Sequence, residues 1–303
     1  MRTKKPNLFI VGAAKSGTTS LQRYISKHND VFFCKPKEPR FFSSKYNNFP
    51  HNGQGDYIAD NFTIKEESKY IDLFKSVKSE KIIGEASVDY LYYYKTAYDI
   101  KKYSPNAKII ITLRNPVDRA FSAYVHLLGS NREDLTFEEA LTQERYRMEK
   151  NYEFIWFYKD VGKYYQQVKI YLEVFGEENI LIILFDEMKK DIKNIMKKIT
   201  FFLNINTDFS IDEPIKYNLS GIPKNKTMNM ILKNRQLQHL AKKIFPSRIV
   251  RKMGYKILEK NLRKPILAEK TRSKLIDYFS EDIISLQDLM GRNLSPWLYR
   301  REQ

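Results

Sequence analysis

The chain has 303 residues, 42% of them hydrophobic, and a formal net charge of +17. That apolar content is ample for a packed core, and the length suits one large α/β domain or two small ones. No apolar run reaches the roughly eighteen residues of a membrane-spanning helix, and the single cysteine, Cys34, excludes an internal disulfide and fits a reducing compartment.

Short apolar runs alternate with amphipathic segments, which predicts a parallel sheet covered by helices on both faces. Strands are expected at residues 8–11, 31–34, 81–83, 109–113 and 180–184. The first runs through Gly12 and Gly17 into a helix over 18–27, with Leu21, Tyr24 and Ile25 at helical spacing. Residues 43–62 are polar and turn-rich, either a substrate lid or an ordinary surface loop. A helix over 116–128 begins at Pro116, a favoured first position. Another over 163–175 aligns Tyr164, Val168, Tyr171, Leu172 and Phe175 and stops at Gly176. Residues 227–262 read as basic amphipathic helices broken at Pro246, and a last helix spans 275–289. There is no internal repeat and no sharp break in composition, so residues 1–303 are expected to form one domain.

Residues 9–20 read Phe-Ile-Val-Gly-Ala-Ala-Lys-Ser-Gly-Thr-Thr-Ser. A Gly-x4-Gly turn ahead of a helix is a phosphate cradle, its N–H groups pointing inward and the helix dipole adding to the field. A nucleoside-triphosphatase loop carries lysine directly after the second glycine. Here Thr18 takes that place and the lysine, Lys15, lies inside the loop. The strand at 109–113 ends in Arg114, then Asn115 and Pro116, where a triphosphatase often has a metal-positioning aspartate. Two anion sites at adjacent strand ends, with no obvious metal ligands, describe a nucleotide with two separated phosphate groups. A phosphate-loop kinase would need a lysine at 18 and an acidic strand end.

Together these motifs resemble the sulfotransferases that use 3′-phosphoadenosine 5′-phosphosulfate. The Lys-Ser-Gly-Thr-Thr-Ser loop resembles the family's 5′-phosphosulfate loop, which implies contacts from Lys15, Ser16, Gly17, Thr18, Thr19 and Ser20. Leu-Arg-Asn-Pro-Val-Asp-Arg-Ala-Phe-Ser resembles its 3′-phosphate motif, in which Arg114 and Ser122 would bind that phosphate. Lys37-Glu38-Pro39-Arg40-Phe41-Phe42 resembles an element of the heparan-sulfate-type branch, and puts the catalytic base at Glu38. Residues 216–226 resemble a late basic loop, adding Lys224 and Lys226, and residues 289–297 the terminal segment. The likeness runs from about residue 6 to 298.

The resemblance implies sulfuryl transfer to a hydroxyl or amine, with adenosine 3′,5′-bisphosphate as product and no metal. Lys15 would stabilise the leaving phosphate. Two prolines are expected to hold Glu38 on an extended backbone anchored by Phe41 and Phe42; the alternative is an exposed, ion-paired glutamate, since Lys37 and Arg40 oppose a raised pKa. Glu85 is expected just after a strand, facing the same cleft and orienting Lys15 or the acceptor; Ala86 replaces the lysine that often follows this glutamate in that branch. Asp89, Tyr90 and His126 are further candidate acceptor contacts.

Residues 224–274 hold sixteen lysines and arginines against two glutamates. Charge of this density steers anions, whether the nucleotide, an anionic glycan or an anionic membrane surface, or it forms a solvated basic face. A non-catalytic binder of anionic surfaces would leave both phosphate motifs unexplained. The expected acceptor is a glycan, glycolipid or small alcohol rather than nucleic acid. The basic N-terminus enters a strand rather than a signal-peptide core, so the expected setting is cytoplasmic or peripheral at a membrane, as in a bacterial enzyme.

Overall fold

A computed structural model of the chain describes residues 4–207, 221–223, 262–263 and 265–299. The five apolar runs form a parallel sheet of β1 Leu8–Gly12, β2 Val31–Phe33, β3 Ile82–Ala86, β4 Lys108–Leu113 and β5 Ile180–Leu184, ordered β2-β3-β1-β4-β5. Both faces are covered, as a parallel sheet requires. Phe9 and Val11 pack into one layer with Ile109, Ile111 and Leu113. Leu8 and Ile10 pack into the other with Ile110 and Ile183. The chain leaves β1 toward β2 and β3 on one side, then crosses to β4 on the other. The loops after β1 and β4 therefore flank a topological switch point, where open α/β sheets bind ligands.

The β1–β4 ladder pairs Leu8 with Lys108 and Ile10 with Ile110, then shifts so that Gly12 faces Ile111. Such an irregularity re-aims the backbone as it leaves the sheet. Strand β3 extends beyond the expected 81–83. Gly84, Glu85 and Ala86 stay in the ladder opposite Leu8, Phe9 and Ile10, so Glu85 is inside the strand rather than after it. Gly84 permits close packing, because a Cβ there would stand 2.5 Å from the Phe33 ring.

Helix Pro116–Gly129 starts as the Asn-Pro pair implies. Asn115 Oδ1 accepts from the N–H of Val117 at 2.9 Å and of Asp118 at 3.4 Å, and Pro116 takes the first turn. Val117, Ala120, Ala123 and Leu127 bury its inner face. Helix Glu269–Met290 packs beside it, with Arg272 Nη2 donating to Asp118 at 2.6 Å. Helix Tyr164–Phe175 ends at Gly176, as expected.

Residues 43–62 are tied to the body of the domain at Asp56. Asp56 is fully buried and accepts from the N–H groups of Gly53 and Glu153 at 2.9 Å and from Trp156 Nε1 at 2.8 Å; Arg132 pairs with it as well. The basic helices expected over 227–262, with Lys224 and Lys226, lie outside the described residues. β6 Ile222–Pro223 pairs antiparallel with β7 Leu262–Arg263. Gly221, just before β6, backs onto helix Pro116–Gly129: a Cβ on Gly129 would be 2.8 Å from its carbonyl oxygen. No helix among the described residues is long and apolar enough to cross a membrane.

Candidate active site

The loop after β1 is shaped by its glycines. A Cβ on Gly12 would lie 2.6 Å from Leu91 Cβ and 3.1 Å from the Val88 carbonyl oxygen. Gly17 sits at φ +87, and a Cβ there would meet Met188 Cε at 2.3 Å. Helix Thr18–Ile25 opens directly from it without a side-chain cap. The N–H groups of Gly17, Thr18 and Thr19 donate to no group among the described residues. Ser16 is completely buried, and its hydroxyl is likewise without a hydrogen-bond partner there. Open donors at a helix N-terminus form an anion site.

The cations around this loop reinforce it. Lys15 is half-buried, and burial followed by the charge of Arg114 lowers its pKa to about 8, with Glu38 pulling the other way. Arg114, at the end of β4, donates to the Lys15 carbonyl at 3.3 Å and lies over the Phe185 ring. Burial lowers its pKa too, partly offset by Asp118. Arg119 is wholly buried and donates to the Tyr158 carbonyl at 2.6 Å, while its Nε and Nη1 are unpartnered among the described residues. Tyr164 donates to the Arg114 carbonyl at 3.1 Å. Cations wholly or partly withdrawn from water that depress one another, beside unfilled donors, fit a multiply charged anion such as a nucleotide phosphate. Ser122 is half-buried farther along the same helix, and His126 is exposed near its end.

Glu38 enters from the segment after β2. Its backbone is not extended: Glu38 and Arg40 adopt φ +64 and +54, and Lys15 φ +70. Left-handed backbone at non-glycine residues costs on the order of 1 kcal/mol each and clusters at functional sites. The segment holds that shape because Glu38 N–H donates to the Ala86 carbonyl at 3.2 Å and Arg40 N–H to Ser87 Oγ at 3.0 Å. Phe41 and Phe42 anchor it as expected, Phe41 stacking on Tyr70 at 4.3 Å and Phe42 packing edge-on to Phe9, Tyr70 and Tyr90. The carboxylate is clasped by Lys37 Nζ at 2.9 Å and Arg40 Nη2 at 3.2 Å. Burial alone would raise its pKa, but the two cations outweigh that and hold it at about 2. Lys37 also donates to Thr19 Oγ1 at 3.2 Å, joining Glu38 to the start of the helix after β1.

Two of the expected acceptor contacts prove to be core groups. Glu85 is fully buried and accepts from Tyr70 Oη at 2.8 Å and Tyr90 Oη at 3.0 Å. Burial raises its pKa to about 7. Tyr90 is spent on that bond and on accepting the Phe42 N–H at 3.2 Å. Asp89 differs: Ser43 Oγ donates to its Oδ2 at 2.6 Å, its Oδ1 is unpartnered among the described residues, and it borders a cleft. Burial raises its pKa to about 6, against the pull of Arg40. Residues missed in the sequence include Glu153, which accepts from Arg40 Nη1 at 2.7 Å and Arg132 Nη2 at 3.1 Å. No local pattern marks it, because it is brought in from a distant segment. Arg119 stood in the Asp-Arg pair of the second motif but had no signal of burial.

The sulfotransferase domain family matches residues 5–283. The chain belongs to that family. A crystal structure of a sulfotransferase from Alicyclobacillus acidocaldarius is similar at a TM-score of 0.79 and 36% identity, covering 98% of this chain and 100% of that one. Carbohydrate sulfotransferase 15 of Homo sapiens is 26% identical over 250 residues, 66% of this chain and 44% of its own length. The bifunctional heparan sulfate N-deacetylase/N-sulfotransferase 1 of Xenopus tropicalis is 24% identical over 305 residues, 97% of this chain and 31% of its own length. The chain thus spans less than half the length of these curated relatives.

Proposed function

We propose that the chain transfers a sulfuryl group from 3′-phosphoadenosine 5′-phosphosulfate to a hydroxyl or amine of a glycan, glycolipid or small alcohol. The observation that carries this reading is the loop Ala13–Gly17 and the helix start after it, with open N–H groups at Gly17, Thr18 and Thr19, a half-buried Lys15 of lowered pKa, and a link through Lys37 to Glu38. The loop donors and Ser16 to Ser20 would hold the 5′ end of the nucleotide. Arg114 and Ser122 would grip the 3′-phosphate, joined by Lys224 and Lys226 of the late loop.

In the transfer, the bond from the acceptor oxygen or nitrogen to sulfur forms as the bridging S–O bond breaks. The acceptor proton passes to the Glu38 carboxylate. Lys15 meets the charge that develops on the departing phosphate oxygen, a role that grows between ground and transition state. Glu38 is ionised and clasped, so its usefulness as a base comes from fixed reach rather than raised basicity. Approach of the acceptor must loosen the Lys37 or Arg40 contact. His126 would touch the acceptor only where it extends along the helix. The basic segment 224–274 would concentrate the anionic donor and would also suit peripheral contact with an anionic membrane from the cytoplasmic side.

The test is incubation with donor labelled in the sulfuryl group and fractionated cell extract. Label is expected in an acceptor fraction, with adenosine 3′,5′-bisphosphate released in step. Failure of the protein to bind that bisphosphate without divalent metal, or binding no tighter than adenosine 5′-phosphate, would overturn the proposal.

A further inference from the structure

Glu38 is held at both carboxylate oxygens, and the two holds differ in kind. Arg40 Nη2 lies 3.2 Å from Oε2 and Lys37 Nζ 2.9 Å from Oε1. We infer that Lys37 is a hand-over cation: the sulfuryl donor draws it from Glu38 onto the 5′ end of the nucleotide, while Arg40 stays. One carboxylate oxygen then opens to the acceptor once the donor is in place. The inference rests on the sulfuryl-transfer reading and adds to it an order of events.

The surroundings of the two cations carry it. Arg40 is pinned. Its Nη1 donates to Glu153 at 2.7 Å, closer than its contact with Glu38. Glu153 is buried and is itself held by Arg132 at 3.1 Å, and the Phe154 ring centroid lies 5.7 Å from the Arg40 guanidinium. Burial opposes the Arg40 charge, yet Glu153, Asp89 and Glu38, in that order, outweigh it and raise its pKa. A planar fork shared between two carboxylates cannot swing to a third partner without breaking its closer bond. Lys37 is the opposite case, a compact ammonium with three donors on a flexible stem. It meets Glu38, and it also meets Thr19 Oγ1 at 3.2 Å. Thr19 belongs to the helix start whose N–H groups are open, so the ammonium already stands at the edge of the anion site. Its charge is felt there: burial and Arg114 lower the Lys15 pKa most, and Lys37 adds to the lowering. An arriving phosphosulfate brings two negative charges against the single one of Glu38, which Arg40 continues to balance. The Lys37 and Glu38 side chains are 21% and 23% exposed, and contact with water weakens such a pair. Little therefore holds the ammonium back.

Crystals of the native chain with and without adenosine 3′,5′-bisphosphate give the direct test. In the complex Lys37 Nζ is expected within hydrogen-bond distance of a 5′-phosphate oxygen and about 4 Å or more from Glu38 Oε1, with both Arg40 bonds kept. Calorimetry on Lys37→Met, which retains the apolar stem, adds a readout that a purely structural clamp on Glu38 would not move. The variant should bind the bisphosphate about five- to tenfold more weakly than the native chain, and adenosine 3′-phosphate nearly as well. A complex in which Lys37 remains on Glu38 or Arg40 leaves instead, a variant with native affinity for the bisphosphate, or an equal loss on both nucleotides would overturn the hand-over. Failure of the native chain to bind the bisphosphate at all would instead overturn sulfuryl transfer itself.

Discussion

Binding of adenosine 3′,5′-bisphosphate is expected to draw a proton onto Lys15. In the free protein burial and Arg114 bring this ammonium to about 8. A phosphate whose second ionisation lies near pH 6 is a full dianion by pH 8, and its charge outweighs both effects once it sits in the loop. The complex keeps a proton that the free protein is losing. Lys15 is about nine-tenths charged at pH 7 and about one-tenth at pH 9, so affinity should fall about tenfold over that interval. The loss corresponds to roughly 1.4 kcal/mol. At pH 8 binding should take up about half a proton. Calorimetry at pH 7, 8 and 9, in two buffers of unlike ionisation enthalpy, measures both quantities. Lys15→Arg retains its charge across this range, so its affinity should be level and its enthalpy buffer-independent. A native protein with level affinity and no buffer effect would refute the reasoning, as would a Lys15→Arg variant that kept the slope.

Arg114→Ala should weaken bisphosphate binding by about 2–4 kcal/mol while leaving adenosine 5′-phosphate binding much less changed; equal losses would remove the 3′-phosphate assignment. Glu38→Gln should bind the bisphosphate normally yet turn over about a hundredfold more slowly or worse. Because Glu38 sits at about 2, that deficit should be the same at pH 5 and pH 8, and a deficit that tracks pH would contradict an ionised, clasped base. Glu85 binds its proton more tightly folded than unfolded, so it favours the fold at low pH and withdraws that support as pH rises from 4.5 to about 7. Urea unfolding should show Glu85→Gln gaining up to about 3 kcal/mol on the native chain between pH 4 and pH 8; a constant difference between the two proteins would be evidence against the buried carboxyl's shift.

Local chemistry already determined much of this protein. Apolar runs a few residues long, followed by glycine turns or a proline start, predicted the five strands and the helices that frame the loop after β1. Those signals survive because strand burial, helix capping and φ > 0 glycines depend on near neighbours. Asn115 capped its helix and Gly17 turned left-handed as their types require. Phe41 and Phe42 also anchored Glu38 from their own segment. Contacts across long separations were decided only by the tertiary structure. The β1–β3 ladder drew Glu85 into the core, where two tyrosine hydroxyls receive it, and took Tyr90 with it. Hydrogen bonds to Ala86 and Ser87 overrode the extended bias before Pro39, turning Glu38 left-handed. Arg40 reaches a glutamate 113 residues away, and that pairing joins the Glu38 clasp to the cleft beside Asp89. Charge and hydrogen-bond balance in a site depend on which distant groups meet there, and no local pattern in the chain encodes that meeting.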